Sequence, residues 1–405
     1  LIAPTCTARV DISAKIDVLC STMRGTRGEV TSRNLSAPAW QIGAMDLIGP
    51  AGAALPPLLD PLLDEIGQDA AWVDRHGVRR SRMDELAAAG LMGAGSGLDM
   101  REVAERLAMA DASTWFCWAQ HQTPLRVLEG AFPGVLRPAS RELSGRLLSG
   151  LTSGDLLAAV AFAHVRRPGP ANPVATRTAG GWRIDGSLDW VTSWDIADVV
   201  MVMAQGSGDD AGVLVCAYLP AGHAGVSTPG LIPGSVLDLL AMGGTHTRPV
   251  TLASVHVPDE DAVVLDRAEW LRLDAEKTAD VTPAVLGITR GAVSELDDVA
   301  TQRGDARMRE LADALARDCR DTREWAYAAA SEGAPIEERR RVRALALQQA
   351  VDAAMAVITA RSGAAIMRGC SSERRLREVA FMQVQAQTAA SRAQSLDEAL
   401  RRSAG

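Results

Sequence analysis

The sequence predicts an α+β multidomain chain with an N-terminal helical domain, a central antiparallel β-barrel or sandwich, and a C-terminal four-helix bundle. Three observations carry this reading. Apolar residues recur at three- and four-residue spacing to about residue 156, and short period-two runs follow to about 262. From there to the end, long helical periods rich in Ala, Leu, Arg and Glu take over. The strand-like runs lie too close together to hold crossover helices, which argues against a doubly wound sheet. At 405 residues the chain has room for two or three domains.

Residues 1–45 have no sustained helical or strand period and lack the basic start, apolar block and cleavage site of a signal peptide. They are expected to form a weakly ordered extension, with Met45 a reasonable natural start. The helical domain is expected over 46–156. It opens with PPLLDPLLDEIGQDAAWVDRHGV, continues with MDELAAAGLMGAGSG, closed by Gly90, and ends in REVAERLAMADASTWFCWAQHQTPLRVLEGAF, whose second helix is apolar enough to be buried. The β domain is expected over 157–262, from LLAAVAFAHV, GGWRIDGSLDWVT, ADVVMVMAQ, GVLVCAYLP and PVTLASVHVP, separated by Gly, Pro and Asp turns. The bundle is expected over 263–405, as segments near 269–303, 305–332, 336–366 and 372–402.

Net charge is −8 with acids and bases interspersed, so no basic stripe offers itself to nucleic acid or anionic lipid. No apolar run approaches a membrane span. Six scattered cysteines without a CxxC pair exclude a zinc ribbon, argue against a disulfide framework and fit a reducing cytoplasm. Cys117, in an apolar helix, reads as buried filler. No GxGxxG follows a strand, so a Rossmann site is not expected.

Within this architecture three local motifs occur in order: MDELAAAGLMG with REVAERLAMADAS, then GGWRIDGSLDWVTSWDIADVVMVMA, then ERRLREVAFMQVQAQT. Across roughly 48–400 they resemble the acyl-CoA dehydrogenase family, a group of flavoproteins. The resemblance implies FAD as cofactor, with reduced FMN or FAD as co-substrate in the monooxygenase branch. It also implies a homodimer or homotetramer and an electron acceptor or flavin reductase as partner. A flavin ring needs an apolar or aromatic wall on one face and polar donors at its reactive nitrogen. A strand presenting Trp190 and Thr192 at alternate positions would supply both, and Ser193 follows directly. The alternative is that Trp190 packs the barrel and Thr192 faces solvent.

Several family positions are altered. His164 falls where the resemblance places a flavin-binding Thr and Gly169 where it places a loop Gly, but Pro170 and Ala171 replace the Ser and Asp that follow. Proline has no N–H and alanine no hydroxyl. Arg166 and Arg167 either neutralise a phosphate or form a solvated pair. Toward the adenine half, Arg303 is retained and Gly363 partly matches a Gly-rich turn. The usual catalytic Glu is Ala386, which cannot act as a base. A second base location puts Lys277 in register, leaving Glu276 as the candidate, against the reading of an exposed acid near a helix terminus.

His121 ends an apolar helix resembling the one that carries an active-site His in flavin monooxygenases of the dibenzothiophene type. A satisfied core histidine is the competing reading. His246, in a barrel loop, has a weaker claim to face substrate. Three functions follow from the resemblance: an FAD-dependent oxidoreductase acting on an acyl-CoA or similar acyl group, a reduced-flavin monooxygenase of the same fold, or a non-catalytic subunit paired with an active homologue.

Overall fold

The computed structural model describes residues 55, 59–93, 99–132, 134–223 and 227–404. The extension expected over 1–45, Met45 included, lies outside the described residues.

Among the described residues four helices come first: α1 (Asp60–His76), α2 (Arg80–Ala88), α3 (Met100–Ala110) and α4 (Ala112–Leu128). In α1 the buried residues Leu63, Ile66, Ala70 and Val73 form the single stripe that the spacing predicts. Helix α2 starts without a side-chain cap, but the two helices after it each have one. Asp99 accepts from the Arg101 amide to start α3, and Asp111 accepts from the Thr114 amide at 2.7 Å to start α4. A three-residue strand, β1 (Val135–Arg137), precedes α5 (Arg141–Ser153), which is capped by Ser140 and ended by left-handed Gly154.

The strands β2 (Ala158–Ala161), β3 (Val174–Thr178), β4 (Gly181–Val191), β5 (Val199–Gly206), β6 (Val213–Pro220), β7 (Leu231–Pro233), β8 (Arg248–Pro258) and β9 (Ala262–Asp266) join β1 in one nine-stranded sheet. Its order is β1-β9-β6-β5-β3-β4-β8-β7, with β2 paired to β5. This corrects the expected antiparallel barrel or sandwich. The sheet is open, and β2 and β3 both lie parallel to β5. The reason lies in β5, which is buried along nearly its whole length and needs hydrogen-bonding partners on both edges. One edge takes β6. The other is shared end to end by β2 and β3, because the chain leaves β2 through a 3-10 turn (Ala163–Arg166) instead of a hairpin.

The sheet leads directly into α6 (Arg267–Lys277), followed by α7 (Pro283–Arg303), α8 (Ala306–Ser331), α9 (Ile336–Arg361), α10 (Ser371–Met382) and α11 (Ala389–Ala404). Two of the four long helices expected are thus broken. The first is interrupted before Pro283, which lacks the N–H needed to continue a helix but suits its first turn. The last is interrupted at 383–388, where Ala386 takes a left-handed conformation with φ 50°. Both breaks shape the candidate site.

A charge cluster with almost no solvent exposure fastens α3 to α7 and α8. Arg290 donates to Glu102 at 3.1 Å and Glu105 at 2.6 Å, and Arg323 donates to Glu105 at 2.8 Å and also to Glu102. Tyr327 adds a hydrogen bond to Glu105. Two carboxylates facing two guanidiniums balance in charge, which is the condition for keeping ions in a dry interior. Among the described residues α9, with the turn after it, is one helix long and apolar enough to cross a membrane. It packs against α7, α8, α10 and α11, and its buried residues include Leu347, Ala350 and Val357.

Candidate functional site

The site is built where the end of β4 meets α4, with α10 packed against α4. Strand β4 is in register with β8 until Leu188 pairs with Val250, and the next pair is Val191 with Arg248. One extra β4 residue is accommodated, a bulge that re-aims the strand end. Leu188 and Val191 consequently both enter the core, while Trp190 is 49% exposed. The strand ends at Val191, so regular alternation does not extend to Thr192. Thr192 is instead buried in a hydroxyl chain. Its Oγ1 lies 3.1 Å from that of Thr247, which lies 2.8 Å from that of Thr245, and Thr245 donates to the Met242 carbonyl. Ser193, left-handed at φ 66°, donates its amide to the Thr245 carbonyl and turns its side chain toward Cys117 of α4.

The 242–247 turn is pressed on from three sides. Gly244 lies against Val73 and Ser113, and a Cβ on Gly77 would come within 2.1 Å of His246 Nε2. His246 Nδ1 is 3.1 Å from Asp195, which Arg248 also grips through two nitrogens. His246 is therefore held by packing against Gly77 and by Asp195. A cavity of about 380 Å³ adjoins this turn, walled by Trp194, Asp195, Pro220 and His223. Its carboxylate is already held by Arg248, so it offers no free charge.

The start of α4 carries a buried carboxylate with one unsatisfied oxygen. Asp111 is 1% exposed, and its Oδ1 has no hydrogen-bond partner. Burial pushes its carboxyl above the ordinary aspartate value, with Arg374 and Thr114 opposing that rise. The Thr114 hydroxyl lies toward this carboxylate and the Ser193 hydroxyl toward the Cys117 thiol. Cys117 touches this region, but burial pushes its thiol up to about 12, so it carries no thiolate at neutral pH. From the other side α10 closes the site, with Phe381 edge-on to Phe116 at 5.0 Å.

The helix breaks at 278–282 and 383–388 meet. Buried Arg343 donates to the Thr278 carbonyl at 3.0 Å and the Gln385 carbonyl at 2.7 Å, and Thr282 reaches the Gln385 side chain at 3.3 Å. Burial, reinforced by Arg166, lowers the Arg343 guanidinium to about 10, still cationic at neutral pH. The second break contains Ala386 and the first directly follows Glu276 and Lys277, the two places where the family resemblance puts a base. Neither offers a free carboxylate. Glu276 is bound to Arg272 at 2.5 Å with 43% of its side chain exposed, Asp280 to Arg339 at 2.6 Å, and Asp274 to Arg166 through two bonds of 2.7 Å.

His121 requires correction as a catalytic candidate. It is fully buried, its Nε2 donates to the Leu151 carbonyl at 2.9 Å, and its Nδ1 accepts from the Ala158 amide at 3.0 Å. No ring nitrogen remains for a substrate, and burial lowers its pKa to about 4. His164 sits in the 3-10 turn after β2, not in a strand, and donates to the Met203 carbonyl at 2.6 Å. Gly169 is exposed at φ 113°. Arg167 pairs with Asp189, next to Trp190, so both arginines of this turn are already matched by carboxylates.

Arg303 and Gly363 lie apart from this convergence. Each is exposed, at or just past the C-terminal end of a helix whose opposite end contributes to the 278–282/383–388 junction. Twenty helical residues separate Arg303 from Pro283, roughly 30 Å. Sequence reasoning missed Asp111, Thr114, Thr245, Thr247 and Arg343. Asp-x-x-Thr before an apolar helix is a legible cap signal, but nothing local marks the other three.

No protein-family model matches the chain. Over 286 residues it is 30% identical to the L-evernosamine nitrososynthase of Micromonospora sp., a match covering 66% of this chain and 65% of that protein. The butyryl-CoA dehydrogenase structure from Megasphaera elsdenii superposes with a TM-score of 0.68 at 18% identity, covering 86% of this chain and 100% of that one. KijD3 in complex with FMN and dTDP-3-amino-2,3,6-trideoxy-4-keto-3-methyl-D-glucose superposes with a TM-score of 0.66 at 20% identity, covering 88% and 96%.

Proposed function

We propose that this chain, which shares the fold of the acyl-CoA dehydrogenases, is a flavin-dependent monooxygenase acting on the amino group of an amino-sugar nucleotide. The observation that carries this reading is the state of the two base locations. α-Proton removal from a thioester needs a free carboxylate, whereas Ala386 has none and Glu276 is spent on a surface arginine. Oxygenation of an amine needs no such base at those positions. The amine-oxidising relative and the amino-sugar complex support the same substrate class.

The residues present fit the ring half of a flavin. Trp190 offers a half-exposed aromatic wall, and Thr192 lies beside it in the chain with a hydroxyl chain behind it. They fit a second phosphate half less well. Pro170 and Ala171 supply no hydroxyl, Pro170 supplies no N–H, and Arg166 and Arg167 are neutralised by Asp274 and Asp189. FMN is accordingly the favoured form, delivered reduced by a separate flavin reductase. When bound, the flavin supplies the electrons that activate dioxygen. Arg303 and Gly363, remote from the ring site within one chain, are assigned to contact with a second copy.

The balanced reaction consumes one amine, one dioxygen and one reduced flavin, and yields a hydroxylamine, water and oxidised flavin. Incubation with a flavin reductase, NADPH, FMN and the amino sugar nucleotide found with KijD3 is expected to give oxygen-dependent hydroxylamino or nitroso product, read by mass spectrometry. Anaerobic flavin bleaching by an acyl-CoA, with no oxygenated amine product, would return the protein to the dehydrogenases.

A further inference from the structure

The cavity of about 380 Å³ beside the 242–247 turn takes no part in the flavin contacts proposed above. Its size lies at the lower end of small-molecule sites, which run from roughly 300 to 1,000 Å³. The floor is apolar and buried, with Trp194, Ala221 and Leu231 each at most 8% exposed. The exposed rim carries Pro220, Pro233, the His223 imidazole and the Ser227 hydroxyl. An antiparallel bridge from Ala221 to Ser227 ties floor to rim.

Electrostatics narrow what this space can take. Asp195 is the one carboxylate in the lining, and Arg248 grips it through bonds of 2.9 and 3.1 Å, with His246 Nδ1 a further 3.1 Å contact. Among the described residues the lining holds no arginine or lysine. A cavity whose single charge is already balanced gives no counterion to an ammonium or a diphosphate, and taking either out of water unpaired is costly. A neutral ring with a polar edge is what remains.

The rim also has direction. His223 Nδ1 is 3.1 Å from the Asp195 main-chain carbonyl, which can only accept, so Nδ1 carries the proton. In the neutral imidazole Nε2 is then a bare acceptor. The Ser227 hydroxyl enters no hydrogen bond among the described residues and can donate. An acceptor and a donor on one rim match the edge of thymine or uracil, where an N–H lies between two carbonyls. Cytosine carries a bare nitrogen at that place and would set one acceptor against another.

Of the three parts of an amino-sugar nucleotide only the base is neutral. The geometry points to a pyrimidine-base subsite: the cavity receives the thymine or uracil ring, with His223 Nε2 accepting from the ring N–H and Ser227 donating to a ring carbonyl. This rests on the amino-sugar nucleotide reading given above. Asp195 joins the subsite to the rest of the site. The same carboxylate that walls the cavity meets His246, in the turn whose Thr245 and Thr247 lead to Thr192.

Full-length protein is titrated calorimetrically with dTDP, the nucleotide part of the KijD3 ligand, and with dUDP and dCDP, which differ from each other only at that edge. The wild type is expected to bind dTDP and dUDP about ten- to a hundredfold more tightly than dCDP. His223→Phe keeps a ring, removes the acceptor and is expected to abolish the difference between dUDP and dCDP. Ser227→Ala is expected to weaken dTDP several-fold and leave FMN retention unchanged. Both positions are exposed, so the variants spare the core. Equal binding of dUDP and dCDP by the wild type, or full discrimination kept in both variants, overturns the subsite and leaves the oxygenase reading standing. A wild type that binds none of the three nucleotides also overturns the subsite. If it forms no oxygenated amine in the reductase assay either, the substrate reading falls as well.

Discussion

His121 shows how residue identity alone misleads about chemistry. A histidine near the end of an apolar helix offers two nitrogens to any reaction, yet here both are consumed by main-chain groups of Leu151 and Ala158. The neutral form is the one the fold accepts, and its folded pKa of about 4 lies below the unfolded value near 6.5. Its contribution is therefore fully present above about pH 6.5 and is lost as pH falls toward 4, in total about 3 kcal/mol. Urea unfolding at stepped pH should show that slope. His121→Gln, which keeps a donor and an acceptor but cannot titrate, should flatten it. An unchanged slope in the variant would assign the acid sensitivity to other groups. Asp111 is the opposite case at the same scale: a residue read in sequence only as part of a motif, whose second oxygen the fold leaves unsatisfied. That Ala386, where the resemblance expects a base, carries no carboxylate needed no structure. That Glu276 does not replace it did, because only the fold shows Arg272 and solvent around it.

At the scale of elements, β4 carries most of the argument. Its period-two pattern was legible, and the strand runs from Gly181 to Val191 as the sequence indicates. The bulge between Leu188 and Val191 was not legible, because a bulge is set by what the partner strand β8 presents. It separates Trp190, half exposed, from Thr192, which is buried in the threonine chain. Thr192→Ala is expected to weaken FMN binding by about one hydrogen bond, on the order of 1 kcal/mol, in a fluorescence titration. Full-strength FMN binding by the variant would remove Thr192 from the flavin contacts. The Ala197–Asp198 pair of the same motif has a structural role: Asp198 ties the Leu157 amide at 2.7 Å to Arg80 at 2.5 Å. Arg375 and Arg377 of the last motif likewise fasten α10, through Glu295 and the Met109 carbonyl in one case and Asp74 in the other. These motif residues hold the elements around the site without entering it.

Across the whole molecule, the cluster of Glu102, Glu105, Arg290 and Arg323 joins helices from before and after the sheet. Removing one member leaves a buried charge without its counterion. Arg290→Met is expected to cost about 3–5 kcal/mol, seen as a large fall in the denaturant midpoint. Replacing both arginines and both glutamates with apolar residues of similar volume should cost much less, because no charge is then stranded. If the single variant is as stable as the wild type, the cluster does not fasten these helices. What the sequence by itself determined was the succession of helical, strand and helical segments, the buried face of each, and the absence of a carboxylate side chain at Ala386. Those properties are local: periodicity, capping residues and side-chain identity are readable within a few turns of chain. The tertiary structure alone decided that β2 and β3 share one edge of β5, that Arg166 and Arg167 are already neutralised, and that Ser193 meets Cys117. Each of these depends on groups far apart in sequence competing for one space or one hydrogen bond, as when Glu102 meets Arg323 across 221 positions. No local pattern encodes the outcome of that competition.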